Sequence, residues 1–216
     1  MKVHVLCPFY RTHFANTLVR YFESEGVEYY PIVAPKEDIE FGVPWVHNIR
    51  VKELEPGEQC FRKFNDFIDT QSICDNDYYA FACDETVFEP GFFEIIKNQT
   101  AKVIFVSAYR GDTVPNDGST PHAAHTHYVR SEEDIRVGYI GLGQFIVKGS
   151  VLKRVRFKID APVCDGEFAV LLSHRYKGNV AFLTDWFVFS NYLQRGRFTN
   201  KEALLKSNWE LPEWIE

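Results

Sequence analysis

Apolar and polar positions along this chain fall into blocks whose period changes. Lys2–Cys7, KVHVLC, is a short Val-rich run stopped by Pro8 and reads as a strand. Tyr10–Gly26 then sets Phe14, Leu18, Val19 and Phe22 at helical spacing and closes on Gly26, and Val27–Val33, VEYYPIV, returns to a strand. A strand–helix–strand opening predicts a parallel pair within an α/β sheet. Ala34–Gln59 has no period and carries Pro35, Gly42, Pro44 and Pro56, so it reads as irregular. Gln59–Gln71 reads as a helix with Phe61, Phe64, Phe67 and Ile68 on one face. Tyr79–Ala82 reads as a strand, and Gly91–Lys97 as a helix with Pro90 at its first turn.

The second half continues the alternation. Lys102–Tyr109, KVIFVSAY, is a continuous apolar run of the kind expected for a strand covered on both faces. Arg110–Asp134 has no period and is rich in Gly, Pro, Ser and His, which predicts a long lid or binding loop. Val137–Val155 reads as strand, turn and short helix, Val155–Ile159 as an edge strand, Asp165–Gly178 as a helix and Asn179–Leu183 as a strand. Asp185–Gly196 fits helix and strand equally. The whole predicts a single α/β domain over 1–216, Rossmann-like, with a mostly parallel mixed sheet and helices on both faces.

Composition narrows the class. With 216 residues, 45% hydrophobic and 16% aromatic, the chain can bury a sizeable core. A net charge of -6 with no long basic run argues against a general nucleic-acid binder. Five cysteines with no CxxC pair argue against a disulfide framework or a zinc site, and fit a reducing, cytoplasmic setting. No stretch approaches the ~18 apolar residues of a membrane span. His122, His125 and His127 lack the second ligand pair of a closed zinc site and read as loop residues.

Candidate chemistry centres on Cys83-Asp84-Glu85, two adjacent acids at the carboxyl end of an apolar strand. Ligands of open α/β sheets bind beyond the carboxyl ends of the strands. Neighbouring carboxylates there repel each other, and a divalent cation removes that cost. The bland alternative is that Asp84 caps the turn into the next helix while Glu85 faces water. Tyr78–Ile96, YYAFACDETVFEPGFFEII, resembles the acid-cluster region of GT-A-type glycosyltransferases, especially those similar to the large family 2. Val5–Phe22 resembles that family's first strand and nucleotide loop. Phe61–Ile68 is similar to its Arg-Asn helix, Tyr139–Phe157 to its acceptor border, and Cys164–Asp185 to the helix that carries its base.

The resemblance implies a metal-dependent, inverting transfer of a sugar from a UDP-, GDP- or dTDP-linked donor to a glycan or glycoconjugate hydroxyl. The first 100 residues would form the donor half and 101–216 the acceptor half. It implies Mn²⁺ or Mg²⁺ held by Asp84 and Glu85, although Cys83 stands where the family has a carboxylate. Pro8, Tyr10, Arg11, Arg62, Lys63 and Asp84 would contact the nucleotide-sugar, and Asp165, with Glu167 two residues on, would supply the catalytic base. Gln194–Phe198, QRGRF, is similar to a motif of processive members, and places Arg195 and Arg197 as candidates to meet the diphosphate. Two other readings stay open: a non-catalytic nucleotide-sugar or glycan binder, suggested by Cys83, and a sugar-phosphate nucleotidyltransferase. The latter, like a nicotinamide dehydrogenase, calls for a glycine-rich turn after the first strand, and CPFYRTHF contains no glycine.

Overall fold

The computed structural model describes residues 1–8, 15–33, 49–50, 60–84, 86–110, 125–159 and 164–190. Its strands are β1 (Val3–Pro8), β2 (Glu28–Val33), β3 (Ile49–Arg50), β4 (Tyr78–Phe81), β5 (Val87–Phe88), β6 (Val103–Arg110), β7 (His125–His127), β8 (Phe145–Lys148) and β9 (Val180–Ser190). Its helices are α1 (Ala15–Ser24), α2 (Cys60–Thr70), α3 (Phe92–Lys97), α4 (Gly149–Leu152) and α5 (Cys164–Arg175). The strands form one sheet in the order β3-β2-β1-β4-β8-β6-β9-β5, with β7 on β6. β3, β2, β1 and β4 run parallel, as do β6 and β9, while β8 lies antiparallel between β4 and β6. This is the mixed α/β fold with helices on both faces that the sequence pattern predicts.

Alternation along β1 shows how the sheet divides its side chains. Val3, Val5 and Cys7 join α1 residues Leu18, Tyr21 and Phe22 and α3 residues Phe92, Phe93 and Ile96 in one core. Leu6 points the other way and joins Phe64, Phe67 and Ile68 of α2, Val151 and Leu152 of α4, and Phe168, Ala169 and Leu172 of α5. A strand buried on both faces needs apolar residues in both phases, which is why β1 reads as a run rather than an alternation. The second core is densest where Phe157 stacks on Phe168 at 3.8 Å, with Phe81, the last residue of β4, 5.0 Å from Phe64 and 5.3 Å from Phe157.

Four expectations change. Val155–Ile159 is not a strand: the Asn65 side chain takes both backbone groups of Phe157, accepting from its N–H and donating to its carbonyl, each at 2.9 Å, in place of a neighbouring strand. Asp185 to Ser190, ambiguous by pattern, continues β9. The predicted loop after β6 contains β7, antiparallel to β6, and a 3₁₀ turn at Glu132–Asp134 capped by Ser131. β5, two residues long, has no counterpart in the sequence pattern; it pairs with the far end of β9.

Candidate functional site

Strand order reverses between β1, whose chain runs out to β2 and β3, and β4, whose neighbour on the other side is β8. Such a switch point opens a crevice at the carboxyl ends of the two strands, because their following loops leave in opposite directions. Here those ends are Cys7-Pro8 and Phe81-Ala82, kept side by side by the Ala82 N–H donating to the Leu6 carbonyl at 2.9 Å. Pro8 closes β1, buried and opposite Ile32 of β2. Tyr10 and Arg11, expected to follow it toward a nucleotide, lie outside the described residues.

Beyond β4 the chain turns at once. The Thr86 N–H donates to the Cys83 carbonyl at 3.0 Å, and the Cys83 N–H donates back to the Thr86 hydroxyl at 3.3 Å. Asp84 therefore takes the first inner position of a turn closed between Cys83 and Thr86, and is only 1% exposed. Glu85 falls outside the described residues. The turn is fixed on its far side by Tyr21 of α1, whose hydroxyl donates to the Phe88 carbonyl at 2.9 Å and accepts from the Phe88 N–H at 2.8 Å. It is fixed below by Gly143, at φ +89°, where a β-carbon would come within 3.6 Å of both the Phe81 carbonyl and the Thr86 methyl.

α2 is the crossover into β4, so it runs antiparallel to the strands and its first turn lies at the crevice end. Lys63 sits in that turn, 1% exposed, and the adjacent Phe64 packs against Phe81. Arg62 is half-buried. The buried Cys7 thiol reports the local field: burial pushes its pKa well up, Asp84 pushes it further, a hydrogen bond with Tyr29 and the Lys63 ammonium pull it back. Lys63 and Asp84 are thus two desolvated, opposite charges gathered on the same strand end.

α5, which packs into the same core as α2, opens with Cys164 and Asp165. The half-buried Asp165 accepts the Gly166 N–H at 2.9 Å. Gly166 lets this turn pack on Val137-Gly138: a β-carbon there would lie 2.8 Å from the Gly138 nitrogen. One turn on, Phe168 reaches Phe81 at 6.2 Å, so Asp165 and Asp84 rise from elements that share one aromatic floor. Glu167 is engaged by Lys158 at 2.9 Å, which commits it to an ion pair beside the helix.

Sequence reasoning missed Gln144. It is fully buried: its side-chain oxygen accepts the Gly141 N–H at 3.0 Å, and its amide nitrogen lies 3.4 Å from the Val106 carbonyl and 3.3 Å from His127 Nδ1. A polar residue in the apolar run LGQFIV was the available signal. His127 is therefore a strand residue beside the Gly141–Gln144 turn, not a loop residue; His122, Arg195 and Arg197 lie outside the described residues.

A hard divalent ion needs several oxygen ligands. In the described part of the turn Asp84 is the one carboxylate, Cys83 is a soft thiol that suits neither Mg²⁺ nor Mn²⁺, and Lys63 opposes Asp84 in its effect on Cys7. Among the described residues no three His, Cys, Asp or Glu side chains are grouped to hold a metal. The described donors do not by themselves fit such an ion. Cys7, Cys74, Cys83 and Cys164 are free thiols. No helix among the described residues is long and apolar enough to cross a membrane. A groove of about 450 Å³ lined by Met1, Lys2, Glu23, Glu28 and Lys97 lies at the amino ends of β1 and β2, away from the crevice.

No protein-family model and no curated protein matches the chain. In fold it is similar to the 2-C-methyl-D-erythritol 4-phosphate cytidylyltransferase of Francisella tularensis, with a TM-score of 0.52 and 13% identity over 98% of this chain and 100% of that one. It is likewise similar to a 4-diphosphocytidyl-2C-methyl-D-erythritol synthase, with a TM-score of 0.50 and 12% identity over 96% and 97%. At such identities the likeness is one of fold: the chain has the α/β architecture of these nucleotidyltransferases.

Proposed function

We propose that the chain is a nucleotide-dependent transferase whose nucleotide-linked donor occupies the crevice between β1 and β4. The observation that carries this reading is the buried Asp84, held at the corner of a doubly bonded turn on the carboxyl end of β4, beside the sheet's switch point. Burying a carboxylate is costly, and a fold retains one at a crevice where it serves a ligand.

The reaction best supported by the residues is glycosyl transfer. Asp165 lies on the first turn of α5, and in this reading its carboxylate takes the proton of an acceptor hydroxyl as that oxygen attacks the anomeric carbon. The bond from that carbon to the diphosphate breaks as the new glycosidic bond forms, and the proton ends on Asp165. Attack from the face opposite the leaving group inverts the anomeric centre. The expected donors are UDP-, GDP- or dTDP-sugars and the expected acceptor is a glycan or glycoconjugate.

A second reading, nucleotidyl transfer onto a sugar phosphate with release of pyrophosphate, is favoured by the fold shared with the cytidylyltransferase. The absence of glycine from Pro8 to Phe14 argues against it, since such a turn cradles a triphosphate with its backbone.

The test is a thermal-shift screen with UDP-, GDP-, CDP- and dTDP-sugars and with nucleoside triphosphates, followed by product analysis. Binding to the native state raises the melting temperature. Release of nucleoside diphosphate from a nucleotide-sugar supports glycosyl transfer, and release of pyrophosphate supports the second reading. Asp84→Asn is expected to lower kcat/KM by on the order of 10²-fold, the scale of one lost preorganised charge. Asp165→Asn is expected to bind donor normally and transfer slowly. Full transfer by both variants would remove the proposal.

A further inference from the structure

The crevice carries a charge arrangement that neither the acid motif nor the fold assigns. Lys63 and Asp84 are each 1% exposed, they come from different elements, and both sit at the carboxyl end of the β1–β4 pair. Lys63 is brought there by the crossover geometry of α2 and pinned by its neighbour Phe64, edge-on to Phe81 at 5.0 Å. A lysine is almost never fully buried unless it is paired. The acid cluster, meanwhile, opens with Cys83, so one hard ligand of the usual cation set is replaced by a soft one.

We infer that the fixed ammonium of Lys63 takes the place of the divalent cation, so that this site grips the phosphates of its nucleotide without metal. The inference rests on the reading of the crevice as a nucleotide site, and deepens it. A divalent ion placed between Asp84 and a diphosphate would have to sit in the field of Lys63, two positive groups in one desolvated space, where like charges repel strongly. The Lys63 ammonium opposes the Asp84 carboxylate in the field at the end of β1. When a diphosphate enters, the ammonium meets its oxygens with little water to displace, and hydrogen bonds to charged phosphate are the strong ones. Lys63 would carry part of the charge that develops on the departing phosphate, and it transfers no proton. Asp84 is then a positioning residue for the Lys63 ammonium.

The experiment measures binding of UDP, GDP, CDP and dTDP to the full chain by calorimetry, once in EDTA and once in Mn²⁺, with Mn²⁺ binding followed separately by electron paramagnetic resonance. The expected result is a dissociation constant within about threefold in the two conditions for the nucleotide that binds, and no protein-bound Mn²⁺ signal with or without it. Lys63→Gln should weaken that binding at least tenfold in EDTA, and Lys63→Arg should restore most of it. Circular dichroism and a melting curve establish that the variants fold. If Lys63→Gln does not fold, the wild-type comparison and the resonance signal still decide. Binding seen only with Mn²⁺, or a nucleotide-enhanced Mn²⁺ signal, overturns the inference and leaves the nucleotide site standing. Binding by no nucleotide in either condition overturns both.

Discussion

Gly143 offers a direct measure of how tightly the acid-bearing turn is seated. Its φ of +89° lies in the left-handed region, and a β-carbon built on it falls 2.8 Å from Val188 Cγ2, a side chain that is itself fully buried. Gly178 has nearly the same backbone, φ +82°, but nothing within 4 Å of the equivalent point. Alanine at either position incurs the left-handed cost of roughly 1–2 kcal/mol, partly offset by a gain of about 0.4–1 kcal/mol from a stiffer unfolded chain. Gly178→Ala should therefore destabilise by about 1 kcal/mol. Gly143→Ala adds overpacking against a branched buried side chain, which costs about 1–3 kcal/mol. Taking ~2 kcal/mol for the difference, the two variants should melt about 4–8 °C apart in a chain of this size. Urea denaturation gives the free energies directly. Val188→Ala removes the obstructing methyl, so in the double variant the two changes should be non-additive by ~1 kcal/mol or more, as expected of residues in contact. Equal loss from Gly143→Ala and Gly178→Ala, or strict additivity with Val188→Ala, would refute the packing argument. Because the same β-carbon borders the Phe81 carbonyl and Thr86, Gly143→Ala should also weaken nucleotide binding while Gly178→Ala leaves it unchanged.

Two further outcomes are expected from the geometry. Gly166→Ala presses α5 off the backbone of Val137-Gly138 and shifts Asp165 by a fraction of its reach; transfer should fall by on the order of 10²-fold with donor affinity retained, as steady-state kinetics and calorimetry would report. His4, buried between Tyr30 and Asp77 and stacked on Tyr79 at 4.6 Å, has its pKa lowered from 6.5 by burial, against the opposing pull of Asp77. The unfolded chain therefore takes up this proton first, so stability should fall as pH drops from 6.5 through the lower folded value. His4→Gln should flatten that part of the profile, and an unchanged slope between pH 7.5 and pH 5.5 (roughly one unit either side of the ordinary histidine value) would contradict it.

The parts of this fold that could be read from the chain are those whose pattern is local. β1, α1, β2, α2, β6 and α5 each declare themselves by period or by an unbroken apolar run, and the acid turn after β4 declares itself by contrast with the strand before it. Readings failed where a distant partner decides the outcome. Val155–Ile159 has strand composition, yet Asn65, 92 positions before Phe157, claims the backbone groups that a strand would have used. Nothing within the segment encodes that. Antiparallel β8 and two-residue β5 are likewise fixed by pairing with β4, β6 and β9 rather than by their own residues.

β9 makes the same point for the region beside the site. Asp185–Ser190 carries aromatic and apolar residues in both helical and strand register, so its periodicity cannot choose. The choice is made by β6: the register steps from Val106–Leu183 to Ser107–Phe187, leaving Thr184, Asp185 and Trp186 as extra residues on β9. The Ser107 hydroxyl donates to the Thr184 carbonyl at 3.0 Å and accepts the Val129 N–H at 3.3 Å, so one buried hydroxyl serves the bulge on one side and the segment after β7 on the other. A bulge bends its strand and re-aims the residues beyond it. Here that redirection carries β9 on to pair with β5, immediately after the Cys83–Thr86 turn, and so braces the strand that leaves Asp84. The serine in the middle of KVIFVSAY, which reads as a lapse in an apolar strand, is therefore part of the support of the acid turn. Its effect reaches Asp84 through the β9–β5 pairing, a connection between positions some eighty residues apart that no local pattern could express.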